Sequence, residues 1–211
     1  AALALVPQRR VVLSDSGNFP SDIYMAQGLL ATLGDGYELR VITPETVSEA
    51  IDERVGVVML TEVDYRTGRL HDIAALTAGA HAAGALMICD LAHSAGALPV
   101  DVAASDVDFA VGCTYKYLNG GPGAPAFIYV APHHADAALP ALSGWMGHAE
   151  PFAFEADYRP GSGIERMRVG TPPILALAAL DAALDVWDGV DLHDVRRQSI
   201  ALSNAFIAGV E

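Results

Sequence analysis

The sequence predicts an α/β fold, a mostly parallel β-sheet covered by helices on both faces. Three observations lead there. Short β-rich runs are apolar along their whole length. They alternate with longer Ala/Leu-rich segments of helical period. The 211 residues are 52% apolar and 18% charged, enough material for a sizeable core. Strands that hide both faces, separated by helices, are the signature of parallel pairing, because parallel neighbours need crossover connections.

In chain order, Arg10 to Ser14 reads as a strand. Ser21 to Leu33 reads as a helix, with Ser21 at its cap and Asp22 in its first turn. Glu38 to Ile42 is a strand, Glu45 to Glu53 a helix, Val55 to Leu60 a strand and Asp72 to Ala83 a helix. Leu86 to Asp90 and Asp108 to Gly112 are further strands, and Ala126 to Val130 closes the set. Helices follow at Pro173 to Trp187 and Asp191 to Ile207. Leu142 to Pro173, rich in Gly, Pro and aromatics, is a long irregular connection of the length that usually carries function. No repeat or low-complexity tract divides the chain, so one domain is the simplest count.

A formal charge of −14 and a pI of about 4.7 argue against nucleic acid or an anionic membrane as partner. Cys89 and Cys113 lie in apolar runs without metal-like spacing, so neither a disulfide framework nor a metal site is expected, and a reducing, cytoplasmic compartment suits them. There is no basic-then-apolar leader and no 18-residue apolar stretch. The chain starts at Ala1 without methionine and stops at Glu211 inside a helical pattern, which leads us to expect an excerpt of a longer protein.

Lys116 is the only lysine beside 11 arginines, and it lies in Thr114-Tyr115-Lys116-Tyr117-Leu118-Asn119-Gly120-Gly121-Pro122-Gly123. An amine that loses its proton can form a Schiff base, whereas a guanidinium cannot. In open α/β sheets ligands collect beyond the carboxyl ends of the strands. Asp90 ends one strand, and Lys116 lies just past the next, so both can reach one rim. A carboxylate and a lysine so placed suit a pyridoxal-phosphate site, the acid holding a proton on the pyridine nitrogen and the lysine holding the aldehyde. A structural Asp–Lys ion pair accounts for the spacing equally well. Asn119 and the glycines at 120, 121 and 123 make the turn after the lysine. They do not form a nucleotide motif, because no strand–GxGxxG–helix context surrounds them.

Asn18-Phe19-Pro20-Ser21-Asp22, Asp90-Leu91-Ala92-His93, Tyr115-Lys116-Tyr117-Leu118-Asn119, Ser143-Gly144-Trp145-Met146-Gly147-His148 and Gly170-Thr171-Pro172-Pro173 resemble, in order and spacing, the kynureninase family of fold-type-I pyridoxal-phosphate enzymes. The resemblance runs over essentially the whole chain. It implies that residues 1–211 are the cofactor-binding large domain, with an N-terminal segment and a C-terminal small domain lying outside them. It implies hydrolysis of the Cβ–Cγ bond of L-kynurenine, or its 3-hydroxy form, to anthranilate and L-alanine, in tryptophan catabolism and NAD biosynthesis.

On the same resemblance Lys116 matches the lysine that carries the cofactor and moves the substrate α-proton. Asp90 matches the partner of the pyridine nitrogen, and Tyr115 a tyrosine that reaches the cofactor phosphate. Phe19 matches the aromatic stacked on the ring, Asp22 a carboxylate of that pocket, and His93 a histidine beside cofactor and substrate. Trp145 and Thr171 match residues that reach across a homodimer interface to the phosphate, a task suited to neutral donors. Further phosphate-binding residues are expected before Ala1, and a substrate-carboxylate arginine after Glu211, so the 211 residues alone are expected to turn over kynurenine poorly. An aminotransferase shares the lysine and the aspartate. A cysteine desulfurase needs a reactive cysteine on a mobile loop, which Cys89 and Cys113 do not offer. A non-catalytic α/β domain, with Lys116 in an ordinary ion pair, is the alternative from another class.

Overall fold

The computed structural model describes residues 1–211. A four-residue helix, α1 (Ala2–Leu5), precedes β1 (Val11–Asp15), α2 (Pro20–Leu33), β2 (Glu38–Ile42), α3 (Val47–Ala50), β3 (Val55–Thr61) and α4 (Ile73–Ala82). Strands β4 (Leu86–Asp90), β5 (Phe109–Cys113) and β6 (Ala126–Val130) follow, then α5 (Ile174–Leu184) and α6 (Leu192–Val210). The six strands form one sheet in the order β2-β1-β3-β4-β5-β6. Every pairing is parallel except β5 with β6, which is antiparallel. The predicted mostly parallel α/β sheet is therefore the observed one.

Successive strand residues point to opposite faces, and both faces are covered. Val11 and Leu13 of β1 pack with Leu60, Met87 and Cys89 against Val47 of α3 and Ile73 and Ala80 of α4. Val12, between them, joins Val57 and Phe109 on the other face, beneath Ala2 of α1 and Leu30 of α2. This is why the strands read as unbroken apolar runs. Helices α5 and α6 contribute no buried residue. No helix is long and apolar enough to cross a membrane.

Four local readings need correction. The helix expected over Glu45 to Glu53 is a 3-10 turn (Pro44–Thr46) followed by the single turn α3. It stops because Ile51 turns extended and Asp52 leaves the helix to meet Arg40 Nη1 at 2.9 Å and the Arg54 amide at 2.9 Å. Ser21 does not cap α2. The cap residue is Phe19, with Pro20 in the first turn, where its missing N–H costs nothing, and the Phe19 amide is taken by Asn18 Oδ1 at 2.8 Å. The helix expected to run on to Trp187 tightens into a 3-10 turn at Asp185–Trp187. The irregular stretch from Leu142 to Pro173 contains three 3-10 turns, at Trp145–Gly147, Pro151–Ala153 and Gly163–Met167.

The contrast between sheet and C-terminal helix is measurable by urea unfolding. Leu60 is wholly buried, so Leu60→Ala is expected to destabilise the chain by about 2–5 kcal/mol. Phe206 on α6 is 70% exposed, and Phe206→Ala is expected to stay within about 0.5 kcal/mol.

Candidate active site

Parallel strands β1, β3, β4 and β5 end on one edge of the sheet, and the segments leaving β1, β4 and β5 build a pocket of about 220 Å³. Phe19, Asp22, Asp90, His93, Tyr115 and Lys116 all line it. The turn after β1 is held in several places. Asp15, fully buried, accepts the Gly17 amide at 2.7 Å and meets His71 Nε2 at 2.8 Å. Asn18 Nδ2 donates to Ser14 Oγ at 3.1 Å and to the Met59 carbonyl at 3.3 Å. These bonds aim the Phe19 ring at the pocket.

Asp90 is the last residue of β4 and only 7% exposed. Its Oδ1 accepts the Ala92 amide at 2.9 Å, which bends the chain so that His93 returns over the pocket. The lysine loop is positioned by backbone geometry. The Gly120 amide donates to the Thr114 carbonyl at 2.8 Å, and Asn119 takes the left-handed conformation with φ 64°. Gly96, with φ 87°, lies beneath this loop, where a Cβ would come within 2.6 Å of the Tyr117 carbonyl oxygen. Only glycine fits there without moving the segment that carries Lys116.

Lys116 Nζ lies 3.0 Å from His93 Nε2, 5.6 Å from the Phe19 ring centre and 5.5 Å from that of Tyr115. Burial, followed by the charge of Lys116, lowers the His93 pKa from its ordinary value. A neutral imidazole then accepts from the ammonium through Nε2 and carries its proton on Nδ1, which is buried without a hydrogen-bond partner. Asp22 Oδ2 is likewise buried and unpartnered. Burial, reinforced by the charge of Asp90 and opposed by Lys116, raises the Asp22 carboxyl to about 6. The spacing alone left open an ordinary Asp90–Lys116 ion pair. The lysine instead faces a histidine, and two acids share its charge at longer range.

Tyr65 also belongs to this site, although sequence reading passed over it. Its ring is stacked near His93, with centroids 6.4 Å apart, and meets Phe19 edge-on at 5.0 Å. It follows β3, so the strand-end rule that singled out Asp90 could have found it. Trp145 and Thr171 do not enter the lysine pocket. Trp145 lines a separate cleft of about 350 Å³ with His148, Phe154 and Tyr158, and its ring meets Phe152 edge-on at 5.7 Å. Thr171 is exposed. The larger cleft holds no lysine, and Lys116 lines the smaller one. Cys89 is buried, which pushes its thiol far up. Cys113 borders the lysine pocket from within β5, its Sγ directed at the Ala92 carbonyl at 3.8 Å.

The orphaned Asp22 and His93 atoms, the buried Asp90 carboxylate and the amine of Lys116 fit a small polar ring compound carrying an aldehyde. Donors and acceptors await a partner there, beside an aromatic face that can stack.

The chain is 54% identical to a kynureninase of Deinococcus radiodurans over 211 residues, all of this chain and 51% of that protein. It is 51% identical to a kynureninase of Pseudomonas fluorescens over 206 residues, 97% of this chain and 50% of the relative. The chain thus spans about half the length of the curated relatives it matches. Among solved structures, a cysteine desulfurase of Thermococcus onnurineus NA1 superposes with a TM-score of 0.75 at 21% identity, covering 96% of this chain and 51% of that one. A C-DES variant with glycine covalently linked to its PLP cofactor superposes at 0.74 with 19% identity, covering 94% and 54%. At such identities these two matches establish the shared fold alone. The family model for aminotransferase class-V matches residues 25–211, and the chain belongs to that family.

Proposed function

We propose that residues 1–211 are the cofactor-binding large domain of a pyridoxal-phosphate-dependent kynureninase. Its reaction is hydrolysis of the Cβ–Cγ bond of L-kynurenine, or 3-hydroxykynurenine, to anthranilate, or 3-hydroxyanthranilate, and L-alanine. The observation that carries this reading is the single lysine, its Nζ 3.0 Å from a neutral His93 in a pocket with Asp90, on a chain about half identical to kynureninases throughout.

When bound, the cofactor supplies an aldehyde for amine attachment and a cationic ring that takes up electrons from the substrate. Lys116 Nζ is the attachment point and afterwards the base for the substrate α-proton. His93 Nε2, accepting from that amine, keeps it oriented. Asp90 would hold a proton on the ring nitrogen, and its low exposure would strengthen that interaction. Phe19 would offer its aromatic face to the cofactor ring, Asp22 would border it, and the Tyr115 hydroxyl would serve the phosphate. Trp145 and Thr171, both outside their own lysine pocket, would donate to the cofactor phosphate of a partner subunit in a homodimer. In this role the protein acts in the cytoplasm, in tryptophan catabolism and NAD biosynthesis.

Titration with pyridoxal phosphate should give a visible absorption band that is absent from Lys116→Ala. With L-kynurenine the protein in its full length should release fluorescent anthranilate, and Lys116→Ala should lower that rate by at least about 100-fold. A band without anthranilate would move the assignment to an aminotransferase.

The raised Asp22 carboxyl sets a pH dependence. Its folded pKa of about 6 lies above the ordinary 3.8, so its favourable contribution is complete below 3.8 and is lost as pH rises through about 6. Without cofactor, the unfolding midpoint of the wild type relative to Asp22→Asn is expected to fall across that window and then level. A flat difference would contradict the burial assigned to Asp22.

A further inference from the structure

A second cluster of titratable side chains lies at the end of the sheet opposite Lys116. Asp108 immediately precedes β5, and His133 and His134 follow β6. The antiparallel pairing of these strands brings the two segments together, with the Ala131 amide donating to the Asp108 carbonyl at 2.8 Å. The Asp108 side chain is 1% exposed. Its Oδ2 accepts the Met87 amide at 2.7 Å and meets His81 Nε2, from the last turn of α4, at 2.8 Å. Its Oδ1 meets His134 Nε2 at 2.8 Å.

These contacts already satisfy the carboxylate, yet a third imidazole turns to the same oxygen. His133 Nε2 lies 3.8 Å from Oδ1, and its ring centre is 4.0 Å from that of His134. One donor atom from each of Asp108, His133 and His134 lies within 4.8 Å of the other two. A tetrahedral zinc-type site, with bonds of about 2.0–2.1 Å, sets neighbouring donor atoms about 3.3 Å apart. The two observed spacings, 2.8 and 3.8 Å, bracket that value.

The wider spacing belongs to the more exposed partner, since the His133 side chain is 58% exposed while that of His134 is 18%. The His134 ring is held flat on Phe109, with centroids 5.8 Å apart and planes 5° from parallel. Imidazole and carboxylate together suit zinc-like divalent ions rather than calcium or magnesium, which prefer oxygen throughout.

We propose that Asp108, His133 and His134 form a binding site for a divalent transition metal of the zinc type, with solvent in the remaining position. His81 and the Met87 amide orient the ligating carboxylate from behind, as outer partners of metal ligands do. The site ties the start of β5 to the end of β6, at the far end of the strand that leads to Lys116.

Titration of the chelator-treated protein with Co²⁺, followed by visible difference spectra, tests this site. The expected result is one Co²⁺ per chain, with the intense band of four- or five-coordinate cobalt, displaced by Zn²⁺. His133→Ala, a change at an exposed side chain that leaves the carboxylate satisfied, should abolish the band, and His134→Ala should do the same. His81→Ala should weaken binding by about 10- to 100-fold while keeping the band. Circular dichroism of each variant verifies that it is folded. A pale octahedral spectrum in the wild type, or a band that survives both His133→Ala and His134→Ala, would overturn the assignment.

Discussion

Parallel alignment of β1, β3, β4 and β5 is the constraint on which the rest of the molecule depends. Strands that run the same way end on the same edge, and each must leave the sheet through a turn there. Three of these turns, after β1, β4 and β5, thus deliver side chains to one small volume, from chain positions as distant as Phe19 and Lys116. The sheet interior is dry and apolar on both faces, so polar groups accumulate at its rim. Asp15, Asn18 and Gly96 contribute through the backbone they fix. Their hydrogen bonds and close approaches hold Phe19 and Lys116 in place before any ligand arrives.

The electrostatics of the rim follow from that crowding. Asp22 and Asp90 face one ammonium, and neither makes a short ion pair with it. Lys116 spends its close contact on His93, which its own charge helps to keep neutral. The pocket therefore holds one more acid than base, and Asp22, pushed up first by burial and then by the charge of Asp90, favours its protonated form. A cationic ring seated between the acids would supply the missing charge. It would also give partners to the Asp22 and His93 atoms that have none. The two features come from the same buried, undercharged arrangement.

Much of the sheet was legible in the sequence because burial on both faces writes itself as unbroken apolar runs. The bounds of β2, β4 and β6 are those read from the residues, and β1 is displaced by one. The reversal of β6 was not legible, since apolar periodicity carries no direction. Neither was α1, which is too short for a helical period, nor the 3-10 turns between residues 142 and 173. At the rim, Asp90 and Lys116 could be picked out from strand ends and composition, and motif resemblance added Phe19, Asp22, His93 and Tyr115. Tyr65 lies past a strand end but in no motif, and the Asp15–His71 pair depends on a contact between distant segments that no local pattern records. The same holds for Asp108, which meets His81 across 27 residues from the end of α4 and His134 across 26 because an antiparallel strand closes the sheet.

The central claim is that this edge of the sheet presents Lys116 as the amine that a pyridoxal aldehyde meets. Borohydride reduction in the presence of pyridoxal phosphate, followed by proteolysis and mass mapping, tests it most directly. A phosphopyridoxyl group is expected on the peptide that spans Tyr115 to Tyr117, and on Lys116 within it. A label on another amine, or none at all, would contradict it.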